Sequence, residues 1–142
     1  LLLLTNDGTL ANLITHPRYQ VEKVYLALVK GTPGADVLRQ LTAGIELEDG
    51  LARAVRAQVK DRNRGRTMIE IVLTEGKKRE IRRMLRELGY PVLRLVRTAI
   101  GSIHDSKLEP GAWRNLSVRE VQSLYEDAGA TWEDAPAMID ED

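Results

Sequence analysis

The chain has 142 residues, 43% of them hydrophobic, which suits one domain around one core. Its 21 basic and 21 acidic residues cancel, but every base lies before residue 126 and seven acids follow from Glu126, so residues 1–125 carry 21 − 7 = 14 acids and a net +7. No Cys is present, which excludes disulfides and thiolate metal sites and fits a cytoplasmic protein; with His16 and His104 as the only histidines, no ordinary zinc set exists.

Leu1 to Leu4 is a short apolar run ended by Asn6-Asp7-Gly8, which predicts a buried strand entering a turn. It is far too short for a membrane span and lacks the charged start of an intact signal peptide. Leu10, Leu13 and Ile14 have helical spacing, and Pro17 stops that helix, with His16 reading as a cap rather than a ligand. Val21 to Lys30 predicts a strand with Val24, Leu26 and Leu28 on one face and Tyr25, Ala27 and Val29 on the other; apolar residues on both faces place it centrally. A helix is expected over Gly34–Thr42, a short strand over Ile45–Leu47, and a strand over Leu51–Lys60. The turn Arg62-Asn63-Arg64-Gly65-Arg66 then leads into a returning strand, Thr67–Thr74. Lys77 to Leu88 predicts an amphipathic helix closed by Gly89 and Pro91, and Val92 to Ile100 another strand. Ser117 and Glu120 fit a capping box before a helix holding Val121 and Leu124. The acidic stretch 126–142 lacks periodicity and is expected as a surface tail on a 1–125 core. Without a regular βαβ rhythm, the pattern predicts an α+β fold: a mixed, largely antiparallel sheet with helices packed on it.

Three groups of residues suggest chemistry. On the helix from Lys77, Arg79, Arg82, Arg83 and Arg86 share one face, while Ile81, Met84, Leu85 and Leu88 share the opposite one. Lys77 and Lys78 add cations at a helix start, where the dipole disfavours them. Guanidinium forks suit phosphate oxygens, so a polyanionic partner explains the cluster; a solvated face with local pairs such as Arg83–Glu87 is the competing reading. Tyr25 stands two residues after Lys23 on the same strand face, either as core or rim packing or as a stacking platform for a base. Arg62, Arg64 and Arg66 crowd one hairpin tip, which serves solubility or grips an RNA backbone. No Walker loop, dinucleotide loop or Gly-x-Ser-x-Gly elbow appears.

The stretches LLLLTNDG (1–8), LANLITHPRY (10–19), EKVYLALVKG (22–31), EGKKREIRRML (75–85) and VLRLVRTAIG (92–101) occur together and in order. In these the chain resembles the RsuA/RluB-type rRNA pseudouridine synthases. The resemblance implies an isomerase that rejoins a uridine's ribose through carbon instead of nitrogen, using one essential aspartate and neither metal nor organic cofactor. It implies that Tyr25 packs on the target base, that Arg82 pairs with the aspartate, and that Ile81, with Lys23, lines the base pocket. Arg62, Arg64, Arg66, Lys77, Lys78, Arg79, Arg83 and Arg86 would bind RNA. The family's aspartate belongs to a motif a few residues before the position matching Leu1, so the chain alone is expected to be inactive; Asp7 is expected to shape a turn. The resulting expectation is a monomeric cytoplasmic enzyme acting on ribosomal RNA, weakly favouring the large subunit, with a non-catalytic RNA-binding module as the alternative.

Overall fold

The computed structural model describes residues 1–131. Among the described residues four α-helices and seven strands follow one another as α1 (Gly8–Thr15), β1 (Lys23–Lys30), α2 (Ala35–Ala43), β2 (Ile45–Leu47), β3 (Gly50–Ala52), β4 (Arg56–Asn63), β5 (Arg66–Leu73), α3 (Glu80–Glu87), β6 (Val92–Ile100), β7 (Ile103–His104) and α4 (Val118–Asp127). Five strands form one sheet in the order β4-β5-β1-β6-β7, and β2 pairs with β3 in a separate hairpin. Every ladder is antiparallel. The α+β expectation holds, and β1 is the central strand.

The local causes are legible. Asp7 caps α1 through Oδ1, which accepts from Thr9 N and Leu10 N, and Pro17 opens a single 3-10 turn whose cap is the His16 ring. Ser117 and Glu120 form the expected capping box of α4. Two expectations fail. Leu1–Leu4 forms no strand and is not buried as a unit: Leu2 and Leu4 are 71% and 88% exposed, while Leu1 and Leu3 pack inward. Nor is 51–60 one strand. It breaks after Ala52 because the Ala54 N–H donates to the Leu41 carbonyl at the end of α2 (2.8 Å) instead of joining a ladder. α4 also runs past Tyr125: Asp127 Oδ2 accepts from the Ser102 N–H and hydroxyl, both at 2.7 Å, and Ala128 is buried. The rest of the predicted tail, 132–142, lies outside the described residues.

Two apolar clusters make the core. The first joins Ala27 and Val29 of β1, Ile69, Ile71 and Leu73 of β5, Leu41 of α2, and Ile81, Met84 and Leu85 of α3. The second joins Leu10, Leu13 and Ile14 of α1 to Val21, Ile100, Ile103, Leu124 and Tyr125. β1 connects them.

Candidate functional site

The passage from one cluster to the other falls at Lys23. Val21, two residues before it, belongs to the second cluster, and Tyr25, two residues after it, packs against the first. Residues two apart share a strand face, so Lys23 and Tyr25 stand together at this seam, as their spacing predicts. In the ladders Tyr25 lies opposite Ile71 of β5 and Arg97 of β6. The β1–β6 register slips between Val24 and Tyr25, leaving Thr98 as the extra residue; its hydroxyl donates to the Val24 carbonyl at 3.3 Å. Such a bulge bends the strand and re-aims the side chains beside it.

Arg97 is the residue the motifs did not single out. Its Nε and Nη2 donate to the Leu1 carbonyl at 3.0 and 2.9 Å, and the Leu1 nitrogen donates to the Arg97 carbonyl at 2.9 Å. The start of the chain is thereby pinned to the strand beside Tyr25. Lys23 is 9% exposed and has no carboxylate partner among the described residues. Burial, and then the charge of Arg97, push its ammonium below the usual lysine range. A cation held in this way favours an anionic or carbonyl-rich partner that would restore its charge balance.

The α3 region differs from its prediction at the start. The helix begins at Glu80 rather than Lys77, after Arg79 adopts a left-handed conformation (φ 51°). The cause is Glu80 itself, whose Oε1 accepts the Lys77 N–H at 2.9 Å and folds residues 77–79 outside the helix. The Lys77 ammonium lies 3.4 Å from Glu75 Oε2, so the cations there do not crowd a bare helix start. Arg79 therefore leaves the helical face shared by Arg82, Arg83 and Arg86. On the inner face Ile81, Met84 and Leu85 are buried and Leu88 packs beside them, as expected. Ile81 and Tyr25 meet in the first cluster, so α3 covers the same sheet face that carries Tyr25. Arg82, the next residue, is half-buried, and its side chain makes no hydrogen bond or ion pair among the described residues. Arg83 is engaged: it grips Asp49 with two hydrogen bonds (2.7 and 3.1 Å) and donates to the Lys78 carbonyl at 2.9 Å. This partner replaces the anticipated Glu87 and holds Asp49 below the usual carboxylate range. Arg83 thus ties α3 to the β2–β3 turn, while Arg86, like Lys78 and Arg79, is exposed.

The hairpin arginines stand apart. Arg64 (φ 55°) and Gly65 (φ 73°) form the two-residue turn between β4 and β5, and Arg62 Nη2 donates to the Pro33 carbonyl at 2.8 Å. Arg64 and Arg66 line a pocket with Leu28, Asp61, Asn63 and Met68. Leu28 and Met68 are register partners on the opposite sheet face from Tyr25. Arg66 also pairs five residues along β5 from Ile71, the partner of Tyr25, a separation of about 16 Å at ~3.3 Å per residue. The structure packs Tyr25 and Ile81 in the first cluster, keeps Lys23 on the strand face of Tyr25, and sets Arg82 next to Ile81 on α3; it holds Arg66 five residues along β5 from the partner of Tyr25. Among the described residues no group of His, Cys, Asp and Glu is arranged to hold a metal ion, and no helix is long and apolar enough to cross a membrane.

Residues 1–87 match the family described as RNA pseudouridylate synthase. The chain belongs to the RNA pseudouridylate synthase family. The chain is 46% identical over 129 residues to an RNA pseudouridine synthase of Aquifex aeolicus, covering 91% of itself and 52% of that protein. It is 38% identical to the ribosomal large subunit pseudouridine synthase B of Bacillus subtilis, covering 87% and 52%. To the ribosomal large subunit pseudouridine synthase E of Xanthomonas campestris pv. campestris it is 37% identical, covering 86% and 73%. A crystal structure of a pseudouridylate synthase superposes with a TM-score of 0.74 at 27% identity, covering 84% of this chain and 52% of that one. The RsuA/RluB-type resemblance and the fold are borne out. The chain spans about half the length of the first of these relatives.

Proposed function

We propose that this chain supplies the base-holding and RNA-gripping part of a synthase that converts a uridine of ribosomal RNA, of the large subunit by the names of its relatives, to pseudouridine. The observation that supports this most is the pinning of Leu1 to Arg97, the register partner of Tyr25. Any residues immediately before Leu1 enter the fold one strand away from the tyrosine. An aspartate carried there would reach the seam of Lys23, Tyr25 and Arg82.

In this reading the flipped-out uracil lies on the Tyr25 ring, with Ile81 closing an apolar wall. Arg82 keeps the aspartate ionised, so that it acts as nucleophile or base. The C1′–N1 bond breaks, the uracil turns, C1′ bonds to C5, and the C5 proton is passed to N1. Lys23 offers positive charge to the substrate strand. Lys78, Arg79 and Arg86 hold phosphates from the exposed side of the α3 region, and Arg64 and Arg66 extend that hold from the hairpin.

The test compares residues 1–142 with the full-length protein on ribosomal RNA fragments. The expected result is pseudouridine from the full-length protein and none from residues 1–142. Replacing the upstream aspartate by Ala abolishes turnover, and Arg82→Ala lowers it by orders of magnitude with the fold intact. Tyr25→Phe separates stacking, which it keeps, from proton transfer, which it loses; Tyr25→Ala loses both. Product formed by residues 1–142 alone would overturn the assignment. Salt-dependent RNA binding with no turnover by the full-length protein would instead favour a non-catalytic RNA-binding module.

A further inference from the structure

The loop that launches α3 holds two carboxyl groups that the proposed chemistry does not use. Glu80, the first residue of the helix, is 3% exposed. Its Oε1 accepts the Lys77 N–H, but its Oε2 is buried without a hydrogen-bond partner. Glu75 stands beside it: its Oε1 accepts the Arg53 N–H at 2.9 Å and its Oε2 faces the Lys77 ammonium at 3.4 Å. The hydrogen bonds of this cluster thus go to Glu75 and to Glu80 Oε1, and none reaches Glu80 Oε2. A buried carboxylate oxygen with no donor is costly, and two adjacent carboxylates do not both ionise. One proton on Glu80 Oε2 removes both difficulties, because the orphan acceptor becomes a donor to Glu75.

We propose that Glu80 is a positioning residue that works as a neutral carboxylic acid, its proton shared with Glu75, clasping the loop 75–79 so that α3 presents Ile81 and Arg82 at a fixed angle. The left-handed Arg79 gives the clasp something to hold, since a side chain disfavours that conformation. The charged groups around Glu80 are Glu75 and Lys77 from the loop and Arg83 from its own helix, with Asp49 and Glu48 of the β2–β3 turn acting on Arg83. Burial, and then Glu75, push the Glu80 carboxyl up to about 8. Burial also opposes the charge on Glu75, but the hydrogen bonds with Glu80 and the Arg53 N–H, together with Lys77, outweigh it and keep Glu75 ionised. At neutral pH the pair therefore carries one proton. The effect on turnover rests on the role proposed for Arg82; the clasp itself does not.

The experiment uses the full-length protein and the variants Glu80→Gln and Glu80→Ala. Gln keeps a donor and an acceptor without a charge, and Ala keeps neither. Urea unfolding is followed from pH 4 to pH 9, with pseudouridine formation measured from pH 6 to pH 9. Because the folded value is raised above the ordinary 4.5, wild-type stability relative to Glu80→Gln is expected to be greatest below about 4.5, to fall as the pH rises toward about 8, and to level off above it. The wild-type rate is expected to decline as the pH rises above 7 and the shared proton is lost; Glu80→Gln is expected to keep wild-type kcat at pH 7 and to show no such decline. Glu80→Ala is expected to lose kcat by on the order of a hundredfold with KM little changed, as small misplacements of a catalytic group do. Superimposable stability profiles for wild type and Glu80→Gln, or a Glu80→Gln as impaired as Glu80→Ala, would overturn the proposal. Absence of turnover in the wild type, with the stability difference intact, would count against the functional reading and leave the clasp standing.

Discussion

Lys23 shows at the scale of one residue how function is set against stability. Its side chain is buried where the chain passes from one apolar cluster to the other, and the nearby charge is a guanidinium instead of a carboxylate. Its folded pKa is lowered, so the native state releases this proton before the unfolded chain does, and its stability penalty fades as the pH rises toward the ordinary 10.5. Lys23→Met keeps the stem and removes the charge. It is expected to raise stability at pH 7 by about 1 kcal/mol in urea denaturation while weakening binding of a ribosomal RNA fragment. A less stable Lys23→Met would show that the ammonium is satisfied in the fold. Tyr125 is the contrasting case, a buried polar group well supplied. Its hydroxyl donates to Asp7 Oδ2 at 2.6 Å, and burial, then Asp7, push the phenol up to about 12. One carboxylate therefore caps α1 and ties it to α4. Tyr125→Phe is expected to cost about 1.5–3 kcal/mol, the worth of a hydrogen bond to a charged group, read as a shifted urea midpoint with an unchanged slope.

Elements built on periodicity and local capping were legible in the sequence; those decided by a distant partner were not. The apolar alternation of β1, the His16 cap, the Ser117 capping box and the inner face of α3 are all short-range patterns, and the structure keeps each of them. The strand break after Ala52 depends on a carbonyl 13 residues away, at Leu41, and no local signal marks it. The displaced start of α3 was visible in part. Glu80 precedes Met84 by one helical repeat, so its place on the inner face could have marked it as a buried acid. The hairpin combines a legible turn with roles that differ between neighbouring arginines. Arg62 holds the Pro33 carbonyl, whereas Arg64 occupies a left-handed turn position and points its charge at the pocket. Arg64→Gly suits that backbone and removes the charge. Together with Arg66→Ala it is expected to leave the melting temperature within a few degrees of wild type and to lower the slope of log affinity against log salt by roughly 1–2 units. An unchanged slope would mean that these arginines only solvate the hairpin.

At the scale of the molecule, the candidate site lies where the core divides. The sequence placed Lys23 and Tyr25 on one strand face, but it could not show that Val21, just before them, joins a different cluster, because its partners Ile100 and Leu124 come from distant segments. Nor could it show Arg97 closing the seam against Leu1, a contact across 96 positions. β6 spans both clusters, with Leu95 packed on the first and Ile100 in the second, and the chain passes from Val21 in the second straight into β1, whose Ala27 and Val29 are in the first. Two cores bridged by continuous central strands are expected to unfold together, and the seam is held in shape only while both persist. Leu124→Ala tests this from the far side. Leu124 is fully buried in the second cluster, and its truncation is expected to cost about 2–5 kcal/mol. If the domain is one cooperative unit, the most protected amides of β5, which pack only in the first cluster, lose protection by the same amount as those of α1 and α4 in native-state hydrogen exchange. Loss confined to α1 and α4 would show two separable units, with Lys23 and Tyr25 at a hinge between them.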